Sequence, residues 1–272
     1  MLINRGEMVS FDKLIEVGQD GAGIIEENNK AAEGFFTVGV ESCLVTVYYF
    51  RKATVLIHDS SQLKLAEIYA LVKKYGVIRK LIVVSGQQAS SSHKMRLQTL
   101  MKLFALTPKN QLEQVQVPQD NFAFVCSTSG EYKVIPNSIP AHAARIPEKD
   151  ARQAVCEVNN FFAERNGQSL ALDVQYREGS YSPVRKLDKT LAELLKVVGE
   201  QPDFFFQNVA VLYAAQKQGL LTLPLALSNL AVKYELERLR FQLPSPEDRM
   251  GEEREFKVYM DARAQSEPNL PE

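Results

Sequence analysis

Two residues that could do chemistry together, Cys43 and His58, flank one predicted hairpin: Cys43 precedes its first strand and His58 follows its second. An apolar run over residues 44–49 follows the cysteine, and after a short polar break a second run over 53–57 leads to the histidine. Runs of β-branched and aromatic residues split by a short turn are typical of an antiparallel hairpin, in which the start of the first strand lies beside the end of the second. The pairing therefore predicts a thiol next to an imidazole, the minimal unit of cysteine nucleophilic catalysis.

The residues before this pair bear on whether Cys43 is catalytic or an ordinary core residue, since cysteine is often buried without a chemical role. Thr37-x-Gly39-x-x-Ser42-Cys43, followed by a strand, a turn and His58, resembles the chemotaxis receptor deamidases (CheD). The cytotoxic necrotizing factor toxins share that Cys–His core. The resemblance implies that Cys43 is the nucleophile and His58 the base. The spacing between them is shorter than in CheD, which predicts a tighter turn in this hairpin.

A second resemblance covers the end of the hairpin and continues beyond it. The stretch ATVLIHD at 53–59 and the predicted helix after it are similar to the eukaryotic protein N-terminal asparagine amidohydrolases. The similarity continues through 81–86, 122–135 and 181–219, and those enzymes belong to the same broad deamidase group. The resemblance implies a deamidase-like β-sheet core with flanking helices and a peptide or protein substrate.

Hydrolysis of a carboxamide by this pair would run as acyl transfer. The Cys43 thiolate attacks the amide carbon, and the backbone N–H of Cys43 is the expected oxyanion donor. His58 protonates the departing ammonia and then activates the water that cleaves the thioester. A third group must hold the imidazole in the right tautomer. The resemblance implies Thr37, through its hydroxyl or its backbone carbonyl, and the alternative is an ordinary strand threonine.

The thiol's reactivity separates the two interpretations of Cys43. A catalytic thiol is expected to alkylate at pH values well below the roughly 8.5 of a free cysteine, whereas a buried structural thiol stays inert.

Several polar residues near the pair are candidates for substrate contact. They are Glu41, Ser42, Asp59, Ser60, Ser85 and Gln87. Asp59 has two interpretations, because it either caps the following helix or, like Glu41, binds a substrate ammonium group. Ser42 and Ser60 could contact the carboxamide, and the alternative for both is a surface or turn serine. Ser85 and Gln87 are candidates by position only, since they follow a predicted strand.

The remaining cysteines and histidines lack a partner at a telling spacing. His93 and His142 are predicted to lie on the surface, and Cys126 and Cys156 to lie in the core. The sequence contains no P-loop, no dinucleotide glycine pattern and no set of residues spaced to bind a metal. We therefore expect neither a metal nor a cofactor.

Composition limits the functional class of this 272-residue chain. A formal net charge of −1 argues against a nucleic-acid binder, which would usually carry a basic face. Three widely spaced cysteines fit no disulfide framework and indicate a reducing compartment. No apolar run is long enough to span a membrane and no leader is evident, so we expect a cytoplasmic protein. A secreted bacterial effector remains compatible, and the sequence does not indicate the oligomeric state.

Periodicity predicts an α/β fold of the layered α+β kind over residues 1–140. The predicted strands lie at 35–40, 44–49, 53–57, 81–84, 122–127 and 131–135, with helices over 59–76 and 90–107. In the first helix, Asp59 and Gln62 could form a capping box. The Gly- and Asn-rich stretch 18–29 predicts turns and loop. Residues 141–243 are predicted to be mainly helical, and 244–272 to form a flexible tail.

These features converge on a cysteine-dependent amidohydrolase that deamidates Asn in peptides or proteins through a thioester. The second resemblance favours N-terminal asparagine as the substrate. The alternatives are a protein glutamine deamidase, a thiol protease or acyltransferase, and a catalytically silent protein-binding module on the same fold.

Overall fold

A computed structural model describes residues 4–5, 13–28, 32–61, 63–87, 91–106, 112–119, 121–140, 143–146, 176–177, 180–181, 216–217, 219, 225, 228–229, 232–233, 236 and 245–266. The strands are β1 (Asn4–Arg5), β2 (Leu14–Glu16), β3 (Gly21–Glu26), β4 (Gly34–Val40), β5 (Leu44–Tyr49), β6 (Ala53–Asp59), β7 (Lys80–Ser85), β8 (Leu112–Gln116), β9 (Phe122–Ser127), β10 (Tyr132–Pro136), β11 (Tyr176–Arg177) and β12 (Ser180–Tyr181). The helices with described bounds are α1 (Leu65–Lys73), α2 (Ser91–Leu103) and α3 (Pro246–Ser266).

Ten of these strands form two mixed sheets of five strands each. The hairpin sheet has the order β3-β6-β5-β7-β8, and the facing sheet has the order β1-β10-β9-β4-β2. Strands β11 and β12 pair only with each other among the described residues. The layered α+β architecture predicted from periodicity is therefore confirmed.

The predicted hairpin is present as β5 and β6, which pair antiparallel with Val45 opposite His58. On its other side β6 pairs with β3, also antiparallel, with Gly21 opposite His58. The prediction of turns and loop over 18–29 is thus wrong for 21–26. Gly23 shows the reason, because a Cβ atom there would lie 2.4 Å from a Val17 methyl group. This glycine permits close packing within a strand rather than a turn.

Alternation of side chains along the strands divides the interior into two layers. In β5, Val45, Val47 and Tyr49 join a buried cluster with residues of the facing sheet such as Phe124. Tyr48, on the opposite face of β5, belongs to a second cluster between the hairpin sheet and the helices. The order of layers is facing sheet, hairpin sheet, helices. A side chain on the hairpin sheet therefore points toward the other sheet or toward α1 and α2 according to its parity.

Both helices of the third layer lie near the predicted positions, but the start of α1 differs. Lys64 is its N-cap residue and makes no side-chain capping bond, so the predicted start at 59–61 with Asp59 in a capping box is wrong. Asp59 instead ends β6. His93, predicted to lie on the surface, is also a correction: it is only 6% exposed. It lies on α2, one turn before Arg96, whose side chain bonds Asp59 at the end of β6.

The predicted hairpin over 122–135 is confirmed as β9 and β10. Gly130 in its turn has a φ of 103°, a backbone conformation that favours glycine. Strand β8, which pairs parallel with β7, was not predicted. Apolar and polar residues alternate only weakly along β8, and Val115 is its one buried residue. The strand therefore lacks the apolar run by which a strand is recognised in sequence. Cys126 in β9 is buried, as predicted for a core cysteine.

The chain divides into two compact units, Met1–Arg185 and Lys186–Glu272, a later division than the one expected near residue 140. Within the second unit, residues 246–266 form helix α3, in the segment for which the sequence predicted a flexible tail. Most of the predicted helical region 141–243 lies outside the described residues, as do Cys156 and His142. Among the helices that the structure describes, none combines the length and apolar character needed to cross a membrane.

Candidate active site

The predicted site residues gather at one end of the hairpin sheet. His58 lies near the end of β6, between β3 on one side and β5 on the other. Cys43 immediately precedes β5, whose first residue, Leu44, pairs with Asp59 on one side and with Ser85 of β7 on the other. Strand pairing alone thus places the cysteine and the histidine at the same sheet end, as the hairpin predicted.

The imidazole of His58 is held from across the sandwich. Its Nδ1 lies 2.7 Å from Oγ1 of Thr37, which belongs to β4 of the facing sheet. Both residues are almost completely buried. A hydrogen bond in so dry a setting is strong and restricts the rotation of the ring. Thr37 therefore makes the contact that the resemblance implies, through its hydroxyl, while its catalytic role stays a prediction.

Cys43 lies in a three-residue connection, 41–43, between β4 of one sheet and β5 of the other, and is 7% exposed. We call this connection the nucleophile loop, after the role that the sequence predicts for Cys43. Just before it β4 bulges between Thr37 and Val40, and Gly39 adopts a φ of 70°. The Gly39 N–H donates to Oδ1 of Asn137 at 2.8 Å, which holds the bulge from the segment after β10. A bulge of this kind redirects a strand and so re-aims the residues that follow it.

The nucleophile loop packs directly on the residue after β7. A Cβ atom on Gly86 would lie only 2.5 Å from the carbonyl oxygen of Glu41, a distance that such atoms essentially never show. The contact atom is backbone, so it cannot rotate away. Glycine at position 86 therefore fixes how closely the loop approaches the sheet end.

If Cys43 carries out the predicted deamidation, Gly86→Ala should lower its rate by about 10-fold or more, because the loop must shift and misplace Cys43. Gly251→Ala in α3 is the matched control, since a Cβ there meets open space. Steady-state rates of ammonia release, with melting temperatures for both variants, check the prediction. An unchanged rate in a folded Gly86→Ala protein would contradict it.

The electrostatic setting of Cys43 opposes formation of a thiolate. Burial, followed by the negative charges of Asp20 and Asp59, raises the pKa of the Cys43 thiol to about 11. A backbone hydrogen bond from Glu41 acts in the opposite direction, and the Glu41 carboxylate adds a small further rise. The isolated site thus holds a protonated thiol at neutral pH. This differs from the expectation that a catalytic Cys43 would alkylate well below the pKa of a free cysteine.

Asp20 is the residue of this site that sequence reasoning missed. It is 4% exposed, has a φ of 56°, and its backbone N–H donates to the carbonyl of His58 at 2.6 Å. Its carboxylate accepts the backbone N–H of Ser60 at 2.8 Å and the Ser60 hydroxyl at 2.7 Å. The pair Asp20-Gly21 is a turn signal, and the apolar residues just after it could have revealed a strand start. Because this stretch is rich in glycine, it was predicted to form turns and loop instead.

The other predicted substrate contacts have mixed positions. Glu41 and Ser42 of the nucleophile loop are exposed, and Gln87 beyond β7 is exposed too. Ser85 is half-buried at the end of β7, opposite Leu44. Ser60 is committed to Asp20.

Asp59 points away from Cys43 and His58 by strand parity, toward the helices. Its Oδ2 lies 2.5 Å from Nε of Arg96, and its Oδ1 accepts the backbone N–H of Ser61 at 2.8 Å. Burial raises the pKa of Asp59, and the Arg96 guanidinium opposes that rise. The carboxylate therefore already has a cation, and its expected role as a site for a substrate ammonium is not favoured.

Among the described side chains, no group of three or more His, Cys, Asp or Glu residues is placed to hold a metal ion. The described arrangement is that of a buried thiol, an anchored imidazole and a hydrogen-bonded carboxylate at one sheet end. A thiol and an imidazole within hydrogen-bond reach of each other can transfer a proton from sulfur to nitrogen and form a covalent acyl intermediate. No protein-family model matches the chain, and the curated proteins contain no sequence that matches it.

Proposed function

We propose that this protein is a cysteine-dependent amidohydrolase that deamidates a carboxamide side chain in a peptide or protein. The observation that carries the proposal is the buried Thr37–His58 hydrogen bond at the sheet end that also holds Cys43. A nucleophile, a base and a group that orients the base are the three parts of a triad, and they are recognised by geometry rather than by order in the chain. Thr37 in one sheet, His58 in the other and Cys43 in the connection between the sheets support this proposal.

The reaction begins with a neutral thiol and a neutral imidazole. The Cys43 proton passes to Nε2 of His58, the nitrogen that Thr37 does not hold, as sulfur bonds to the amide carbon. For Nε2 to accept a proton, Nδ1 must carry one, and the Thr37 hydroxyl then accepts the bond from Nδ1–H. The imidazolium returns the proton to the leaving nitrogen, so ammonia departs and a thioester remains. His58 then takes a proton from water, the hydroxide adds to the thioester, and Cys43 leaves with a proton.

The raised pKa of Cys43 determines how the first step proceeds. Because burial and the negative charges of Asp20 and Asp59 make a preformed thiolate costly, proton transfer is coupled to the attack on the substrate. A positively charged group on the substrate would offset these carboxylates and ease the ionisation.

N-terminal asparagine remains the first substrate candidate, and its α-ammonium group supplies such a charge. Because Asp59 already forms an ion pair with Arg96, the carboxylates near Cys43 that could bind a substrate ammonium group are Asp20 and the exposed Glu41. Neither makes a salt bridge with any residue that the structure describes. An internal glutamine is the second substrate candidate.

A catalytically silent binding module is the second candidate function, and the raised pKa of Cys43 is the observation that favours it. We place either activity in a reducing compartment, the cytoplasm, since Cys43 and Cys126 form no disulfide. A secreted effector acting inside another cell would meet the same condition.

The proposal is tested by mass spectrometry on peptides with N-terminal Asn, N-terminal Gln, internal Asn or internal Gln. Wild-type protein should raise the mass of one class by about one dalton, as an amide becomes a carboxylate through the thioester. Cys43→Ala should not. Chain cleavage or incorporation of an added amine would instead indicate a protease or an acyltransferase. No change in any peptide or in a cell lysate would favour the binding module.

The charge of Asp20 should be visible in the reactivity of the thiol. Asp20→Asn removes a negative charge but keeps an acceptor for Ser60, so the pKa of Cys43 should fall. Below that pKa the thiolate fraction, and with it the rate of alkylation by iodoacetamide, rises about tenfold for each unit the pKa drops. The rate at the Cys43 peptide, followed by mass spectrometry from pH 7 to 10, checks this. Glu41→Gln removes the same charge at an exposed position and should change the rate much less, so an equal effect in both variants would argue against the buried carboxylate.

A further inference from the structure

Helix α2 is attached to the hairpin sheet by an unusual contact for an amphipathic helix. Its apolar side chains reach the core only in part: Met95 and Leu103 are exposed, Leu97 is partly buried against the cluster between sheet and helices, and Leu100 is fully buried. Arg96 lies one turn before Leu100 on the same side of the helix and points into the layer between helix and sheet. A charged side chain thus takes a position that an apolar residue would ordinarily hold.

Arg96 links helix α2 to two other segments, the end of β6 and the connection between β6 and α1. Its Nε donates to Oδ2 of Asp59 at 2.5 Å, and a terminal nitrogen donates to the carbonyl of Leu63 in the connection to α1. The other oxygen of Asp59 accepts the Ser61 N–H. The side chains of Arg96 and Asp59 are only 12% and 2% exposed, so this is a buried and well-bonded pair. The guanidinium makes the two bonds from two different nitrogens, a geometry that the single nitrogen of an ammonium group cannot reproduce.

The position of Asp59 in the chain ties this pair to the proposed active site. Asp59 and His58 are neighbours on β6 and project to opposite faces of the hairpin sheet. On the face toward the facing sheet, Thr37 bonds the His58 imidazole. On the face toward the helices, Arg96 bonds the Asp59 carboxylate. Any displacement of the backbone at Asp59 is transmitted to His58 through one peptide unit.

Stability alone does not account for such a pair. Replacing a buried ion pair with well-packed apolar residues often leaves a protein equally stable, because desolvation offsets the Coulombic attraction. What the pair supplies here is a directional bond, which defines the position of the strand end more narrowly than apolar packing does. Asp59, which makes this bond, is next in the chain to His58, the residue proposed to transfer the proton.

We propose that Arg96 is a positioning residue that sets the location of the His58 imidazole through Asp59. The inference rests on the proposed function for its kinetic consequence, since a misplaced base lowers the rate of the chemical step. The residue that it adds, Arg96, lies on the helix-facing side of the hairpin sheet and not on the side of the Cys43 thiol.

Four variants test it. Arg96→Met removes the guanidinium and leaves Asp59 unpaired. The double variant Asp59→Leu/Arg96→Met replaces both charged side chains with apolar ones, which removes the directional bond without burying an unpaired charge, and it is the alternative if Arg96→Met does not fold. Arg96→Lys keeps the charge but not the fork. Lys80→Met is the matched control, because it breaks a half-exposed ion pair to Glu113 at the opposite end of β7 in the same sheet.

In Arg96→Met we expect kcat for Cys43-dependent ammonia release to fall by about 10-fold or more, since small displacements of a catalytic group are costly. KM should change by less than about twofold, because the substrate contacts remain. Arg96→Lys should recover part of the loss, and Lys80→Met should keep the wild-type kcat. Melting temperatures ensure that all variants are assayed well below unfolding. A folded Arg96→Met, or the double variant in its place, with wild-type kcat would overturn the inference.

A second readout does not need turnover. The sequence has three histidines, so 13C-labelled histidine gives a simple NMR spectrum in which a His58→Gln variant assigns the His58 signal. We expect that signal to shift in Arg96→Met and to stay in place in Lys80→Met. An unmoved His58 signal overturns the positioning role even if the protein is active. Failure of the proposed function is a different result. It would appear as no ammonia release by the wild-type protein, whether or not the His58 signal shifts in Arg96→Met.

Discussion

Replacing Cys43 with serine is expected to reduce ammonia release by about 10⁴-fold or more, to the background rate, without unfolding the protein. A serine hydroxyl occupies nearly the same space as the thiol, so the packing of the nucleophile loop is retained. The hydroxyl is a far weaker nucleophile than sulfur and a single imidazole does not compensate for that difference. Rates on the responsive peptide, with circular dichroism of each variant, provide the measurement.

The matched control is Cys126→Ser, which makes the same substitution at a cysteine that is fully buried in β9. Cys126 hydrogen-bonds with the Tyr49 side chain, so a serine at that position retains a partner. We expect this variant to remain active. Full turnover in a folded Cys43→Ser protein would show that Cys43 is not the nucleophile.

Thr37→Val should give the second largest loss, roughly 10²-fold or more in kcat, with KM close to its original value. Valine matches threonine in shape but cannot bond Nδ1 of His58, so the imidazole loses both its orientation and its tautomer. Thr37→Ser should restore most of the rate because it keeps the hydroxyl. Steady-state kinetics as a function of pH are the measurement, since a changed environment for the imidazole should also shift the profile.

Thr54→Val is the matched control for this prediction. Thr54 is a buried threonine of β6, toward the opposite end of the strand from His58, so the variant removes a hydroxyl of similar burial without touching the site. A comparable loss in both variants would mean that the effect of Thr37→Val comes from general destabilisation. Wild-type kinetics in Thr37→Val would remove Thr37 from the mechanism.

Local patterns were sufficient for the elements that carry the reactive pair. Apolar runs of six and five residues around a short polar break predicted β5 and β6, and their antiparallel pairing followed because so short a connection allows no other arrangement. The helix α1 was predicted from its apolar stripe, whereas its start was not. Residues such as Asp59 that ordinarily cap helices can equally end a strand when a tertiary partner such as Arg96 is available.

Glycine explains the largest error in the predicted fold. Gly21 and Gly23 look like turn residues in sequence, yet both lie in β3, where Gly23 allows Val17 and Phe35 to pack against the backbone. The same atom-level crowding at Gly86 sets the position of the nucleophile loop. Close approach between distant segments leaves no periodic trace, so composition alone cannot distinguish it from a turn.

The sequence by itself determined that Cys43 and His58 share a sheet end, because strand register follows from a period of two and a short turn. It did not determine the chemical state of that pair. The raised pKa of Cys43 depends on burial and on carboxylates from other segments of the chain, and the Thr37–His58 bond depends on how two sheets face each other. Desolvation and Coulombic interactions act through space between residues far apart in the chain. Only the tertiary structure therefore decided that Asp20 joins the site, that Arg96 holds Asp59, and that the pKa of the Cys43 thiol is raised rather than lowered.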